Sequence, residues 1–123
     1  MELIFATGNK HKLAEAEFIL GLSLPQLKLL PHEGPEPVEN GVTFLENAAI
    51  KARAAFEATG QPSFADDSGI CVEVMGGSPG IFSAIWAGGR DDAVNRQLLL
   101  DQLTDISSEH RTASFVCTIA LVE

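Results

Sequence analysis

The chain has 123 residues, 8 Lys+Arg against 17 Asp+Glu for a formal net charge of -9, and is 46% hydrophobic and 20% charged. This length allows one compact domain and little more, and the ordinary globular composition argues against disorder. The acid excess disfavours a surface for nucleic acid or anionic membrane, which would need a basic face, and two cysteines without a Cys-x-x-C exclude a disulfide scaffold or zinc ribbon.

Residues 2–6 form a short apolar run ended by Thr7-Gly8-Asn9, which predicts a buried strand meeting a turn. Leu13, Ala16, Ile19 and Leu20 then recur at helical spacing over 10–20, with Gly21 placed to stop the helix. Residues 26–30 read as a strand, and 31–37 as an acidic, proline-rich loop. Thr43-Phe44-Leu45-Glu46 is a capping box that opens an alanine-rich helix reaching Thr59, before Gly60. Residues 62–65 predict a strand that runs into a turn at Asp66-Asp67-Ser68-Gly69, and 70–74 a further strand ended by glycines. Asp91 or Asp92 starts a helix to Leu103, and 111–122 is the longest strand, apolar on both faces towards its end. Alternating strands and helices without repeats or linkers predict a single α/β domain over 1–123. Met1-Glu2-Leu3-Ile4-Phe5 lacks the basic start and long apolar core of a signal peptide, and no apolar run could span a bilayer. A cytoplasmic, soluble chain is expected.

Three groups could carry chemistry. Thr7, Gly8, Asn9, Lys10, His11 and Lys12 lie between a strand and a helix start, where free N–H groups and the helix dipole suit an anion. The Walker A spacing is absent, and a capped helix with surface lysines is the alternative. Asp66-Asp67 sits at a strand end, where hard oxygen ligands suit magnesium or activate water. Both carboxylates enter one site only if the backbone turns there; a pair of turn-forming aspartates is the alternative. Thr43, Asn47 and Lys51 share one helix face, either a solvated stripe or a lysine aimed at a phosphate. Cys71 and Cys117 are expected to be buried, unreactive thiols. Phe44, Phe56, Phe82 and Trp86 are expected to pack in or near the core.

Together, Phe5-Ala6-Thr7-Gly8-Asn9-Lys10-His11-Lys12-Leu13, Thr43 to Arg53, Ala65-Asp66-Asp67-Ser68-Gly69-Ile70 and Gly76 to Ala84 resemble the noncanonical purine nucleoside triphosphate pyrophosphatases, the inosine/xanthosine triphosphatase-like family. The resemblance spans essentially the whole chain and implies an α/β fold with a mixed twisted sheet flanked by helices. It implies a magnesium-dependent, usually dimeric hydrolase that splits ITP, dITP or XTP into a monophosphate and pyrophosphate. It implies that Thr7, Asn9 and Lys12 contact the triphosphate, with Lys51 and Ser68 nearby. Glu39 and Asp67 would hold Mg2+, and Asp67 would accept the proton of the attacking water. Asp66 lies inside the same motif without an assigned role.

Two features depart from the pattern. Ser83-Ala84-Ile85-Trp86 has isoleucine where bacterial members often carry arginine, and the Gly-Phe-Gly-Tyr-Asp-Pro and Ser-His-Arg segments linked to nucleotide and base recognition do not occur. An N-terminal portion of the fold, truncated at its C-terminus, is therefore expected. Two readings compete with a working enzyme: an incompetent nucleotide-binding fragment, and a related pyrophosphatase of different base preference.

Overall fold

The computed structural model describes residues 1–32 and 34–123. Four strands, β1 (Glu2–Phe5), β2 (Lys28–Pro31), β3 (Ser63–Val72) and β4 (Ala113–Val122), alternate with helices α1 (Lys10–Ser23), α2 (Phe44–Thr59) and α3 (Asp92–Gln102). Short 3₁₀ turns occupy Glu73–Met75, Gly80–Ile85 and Ser108–His110. The strands form one sheet in the order β2-β1-β3-β4, with β1 parallel to both β2 and β3. The Glu73 N–H, just past β3, donates to the Thr112 carbonyl just before β4 at 3.0 Å, so these two strands run antiparallel. The sheet is mixed and flanked by helices, as expected.

The chain divides into two compact units, Met1–Asp67 with Thr118–Glu123, and Ser68–Cys117. In the first, the two-residue period of the strands sorts side chains between two helices. Leu3, Phe5 and Phe64 face α1 and meet Leu13, Ala16 and Leu20; the Phe5 and Phe64 rings stack with centroids 4.3 Å apart. On the other face Ala6, Ala65 and Ala120 meet Ala48 and Ala52 of α2. Small residues on both sides let α2 lie close to the sheet, and Ala48, Ala52 and Ala55 are fully buried. In the second unit Val72, Leu99 and Leu103 form the core with Ile70, Met75, Trp86 and Ile106. Buried Asn95 holds the chain leading into α3, accepting from Ala87 N–H and donating to the carbonyls of Ala84 and Gly89.

Several boundaries depart from the sequence reading. Helix α1 passes through Gly21 to Ser23, because a glycine weakens a helix by about 1 kcal/mol without breaking it. The stop is set by Pro25, which disfavours helical geometry at Leu24, where φ is -129° and ψ 69°. By contrast Gly60 does end α2, with a φ of 68° that a Cβ would penalise. Strand β3 runs unbroken through Asp66-Asp67-Ser68-Gly69, replacing the two predicted strands and the turn between them. Strand β4 begins only at Ala113 because Arg111 still closes the preceding 3₁₀ turn, with φ -98°, ψ 28° and its N–H returned to the Ser108 carbonyl; its guanidinium donates to the carbonyls of Ile106 and Leu103 at 2.8 and 2.6 Å. Only one face of β4 joins the core, through Ala120 and Val122; on the other, Phe115 is 88% exposed, and Ile119 and Leu121 are exposed with it. Cys117 is likewise exposed and Cys71 partly so, against the expectation of buried thiols. Phe82 is exposed too, whereas Trp86 packs against the second core and donates to Gln102 Oε1 at 2.7 Å.

Candidate active site

The turn from β1 into α1 is built by its own polar side chains. Thr7 N–H returns to the Phe5 carbonyl at 2.9 Å, and Thr7 Oγ1 accepts from Asn9 N–H at 3.1 Å. Asn9 Oδ1 then caps α1, accepting from the N–H groups of His11 and Lys12 at 2.9 and 3.2 Å. These bonds use acceptors. The Thr7 hydroxyl proton and the Asn9 amide N–H groups are not committed by them and are the donors the turn can offer an anion. Gly8 leaves room for a carboxylate, since a Cβ there would stand 3.1 Å from Glu36 Oε1. A polyphosphate at this turn thus needs cations to offset Glu36. Lys10 and His11 are exposed on the first turn of α1.

Lys12, one turn into the helix, is bound to the sheet. Its Nζ lies 3.0 Å from Asp66 Oδ2, with the Asp66 side chain only 10% exposed and that of Lys12 42%. Asp66 shares the α1 face of β3 with Phe64. Because β3 is straight there, Asp67 falls on the opposite face with Ala65, towards α2. The turn that would bring both carboxylates into one site is absent, and the adjacent aspartates serve different faces. Ser68 follows as an exposed residue that opens the second unit.

On the α2 face, Lys51 Nζ lies 3.4 Å from Glu39 Oε1. This contact depends on a chain reversal that the sequence reading did not find. Thr43 Oγ1 caps α2 by accepting from Glu46 N–H at 3.1 Å, as the capping box predicts. Glu46 Oε2, however, accepts from Val42 N–H at 2.7 Å, one residue before the cap. Asn47, 4% exposed, accepts from Gly41 N–H at 2.8 Å. Of the predicted stripe, then, Thr43 and Asn47 organise backbone, and Lys51 alone carries charge towards another chain segment. The one available hint was Gly41 beside the capping box, a glycine demanded by space.

The donor set suits a hard cation. Among the described residues no group of three or more His, Cys, Asp or Glu is arranged to hold a metal. Magnesium does not require one, because it binds through one or two carboxylates plus phosphate oxygens and water. Glu39, paired with Lys51, and Asp67, on the α2 side of β3, carry carboxylate oxygens, the donor type that ion takes.

Residues 3–123 match the Ham1 family. The chain belongs to that family. It is 54% identical over 123 residues to a dITP/XTP pyrophosphatase of Leifsonia xyli, covering 99% of this chain and 62% of that protein. It is 52% identical over 125 residues to the protein of the same name in Streptomyces coelicolor, covering 97% of this chain and 62% of the relative. A HAM1 protein from Coxiella burnetii superposes with a TM-score of 0.89 at 40% identity, over all of this chain and 64% of that structure. A nucleoside-triphosphatase, dITP/XTP pyrophosphatase, from Mycobacterium abscessus gives a TM-score of 0.81 at 41% identity, over 99% of this chain and 64% of that structure. This Ham1-family chain thus spans just under two thirds of the length of these relatives, and within that span the α/β sheet is the Ham1 one.

Proposed function

We propose that this chain carries the phosphate- and metal-handling part of a pyrophosphatase for noncanonical purine nucleoside triphosphates, acting on ITP, dITP and XTP to cleanse the nucleotide pool. The observation that carries this reading is the pairing of each candidate lysine with a carboxylate, Lys12 with Asp66 and Lys51 with Glu39, on the two sides of the strand that bears Asp67. The 54% and 52% identities to proteins named dITP/XTP pyrophosphatase support the substrate class.

In this reading Thr7, Gly8, Asn9, Lys10, His11 and Lys12 line the triphosphate, and Lys51 and Ser68 complete its surroundings. Glu39 and Asp67 hold Mg2+, which when bound supplies charge neutralisation and polarises the phosphoryl oxygens. A water oxygen bonds to the α-phosphorus as the bond from that phosphorus to the α,β-bridging oxygen breaks. Asp67 takes the water's proton, and pyrophosphate leaves with the bond's electron pair. Lys12 and Lys51 offset charge on the phosphates, and the rigid β1–α1 turn fixes the chain of phosphates against the attacking water. A homodimer in the cytoplasm is the form proposed for the enzyme; no helix among the described residues is long and apolar enough to cross a membrane.

The test is pyrophosphate release from dITP, XTP and ATP with and without Mg2+. Magnesium-dependent release that favours dITP and XTP over ATP is the expected result. Equal rates with ATP would overturn the base preference, and no release from any of the three would overturn the assignment for this chain.

A further inference from the structure

We propose that Asn47 is a positioning residue that sets the metal carboxylate Glu39 through the backbone of Gly41. The inference rests on the reading of Glu39 as a metal ligand and assigns a role to a side chain that touches neither metal nor substrate.

Asparagine is a poor helix former, and a buried amide costs free energy unless hydrogen-bonded. Yet Asn47 lies in the second turn of α2 at 4% exposure, among alanines. Its Oδ1 accepts the Gly41 N–H at 2.8 Å, while the neighbouring Glu46 accepts the Val42 N–H at 2.7 Å. Two consecutive helix side chains therefore hold two consecutive N–H groups of the incoming chain. Gly41 permits this approach: a Cβ there would stand 2.6 Å from Glu46 Cβ and 2.7 Å from Asn47 Oδ1. The chain is drawn back along α2, and Glu39, two residues before Gly41, reaches Lys51 one helical turn beyond Asn47 at 3.4 Å. The Glu46 bond is exposed and open to competition from water, whereas the Asn47 bond is part-buried. Asn47 is the half of the clamp that fixes the geometry.

The experiment is an EPR titration of Mn2+, a spectroscopically visible substitute for Mg2+, into the protein with inorganic pyrophosphate present. Asn47→Ala raises the Mn2+ Kd by about tenfold, the scale on which partners behind a metal ligand act. Asn47→Asp keeps an acceptor oxygen and restores binding to within about twofold of wild type. Thr43→Ala, which loses the helix cap and leaves the clamp, does not change the Kd. An unchanged Kd in Asn47→Ala, or an equal loss in Thr43→Ala, overturns the proposal. Should Asn47→Ala not fold, the contrast between Asn47→Asp and Gly41→Ala decides: weakened binding in Gly41→Ala alone supports the clamp, and equal binding in the two overturns it. Wild-type protein that binds Mn2+ and pyrophosphate but releases no pyrophosphate from dITP defeats the enzymatic reading and leaves the clamp to be judged by the Kd values.

Discussion

On the α1 side of the first unit, Lys12 meets Asp66 at 3.0 Å with the carboxylate 10% exposed; on the α2 side, Lys51 meets Glu39 at 3.4 Å with side chains 22% and 28% exposed. The first pair joins a helix to a strand within the packed layer below Phe64. The second joins a helix to a loop whose backbone is held by side chains from that same helix. A buried charge must keep its partner, so Asp66 ties Lys12 to the fold. The Lys51–Glu39 pair is longer and neither of its carboxylate and ammonium ends is as buried as Asp66, so Glu39 and Lys51 can turn to a metal and a phosphate. The same residue types thus anchor a phosphate-facing lysine on one face and exchange partners on the other.

The largest effect expected is the one that separates the adjacent aspartates. Asp67→Asn abolishes pyrophosphate release at saturating Mg2+, a loss of about a thousandfold or more if it is the proton acceptor, with an unchanged thermal midpoint. Asp66→Asn leaves measurable turnover and raises KM, because Lys12 loses its anchor and not its charge. Equal loss of kcat in both variants would show that the two carboxylates act at one site after all.

The next effect is on stability and has a built-in asymmetry. Lys12→Met takes a charge-assisted hydrogen bond from the buried Asp66 carboxylate and costs about 2 kcal/mol in urea unfolding. Asp66→Asn leaves a lysine that is 42% exposed and can turn to water, at a cost of about 1 kcal/mol. The reverse ranking would mean that Asp66 draws its compensation from elsewhere in the fold.

These distinctions mark how far the sequence could be read. The strand–turn–helix at Thr7 to Lys12, the cap at Thr43 and the stop at Gly60 follow from local chemistry, and all three were legible. The continuity of β3 was not, because Asp-Asp-Ser-Gly has turn composition and only pairing within the sheet overrides it. That single miss hid the face assignment, since a turn would have aimed both aspartates together. Asp66 with Lys12 lies 54 residues apart in sequence, a contact no local pattern encodes. The outward face of β4 misled for the reverse reason: Phe115, Ile119 and Leu121 alternate as core residues do, and only the arrangement of elements leaves them exposed.

The smallest effect bears on the α2 pair and is best measured as a coupling. A double-mutant cycle on Lys51→Met and Glu39→Gln gives less than about 1 kcal/mol of interaction in the ligand-free protein, as partly exposed pairs do. Raising salt from 0.1 to 1 M shortens the Debye length from about 10 Å to about 3 Å and reduces that coupling further. The coupling in the Lys12 and Asp66 cycle falls less over the same range, since its carboxylate end is buried. In the presence of Mg2+ and pyrophosphate the Lys51–Glu39 coupling shifts, because both of its side chains then have new counter-charges, whereas in the other pair only Lys12 gains one and buried Asp66 keeps it in place. Unchanged Lys51–Glu39 coupling on adding both ligands would make that pair structural as well and remove the distinction between the two faces.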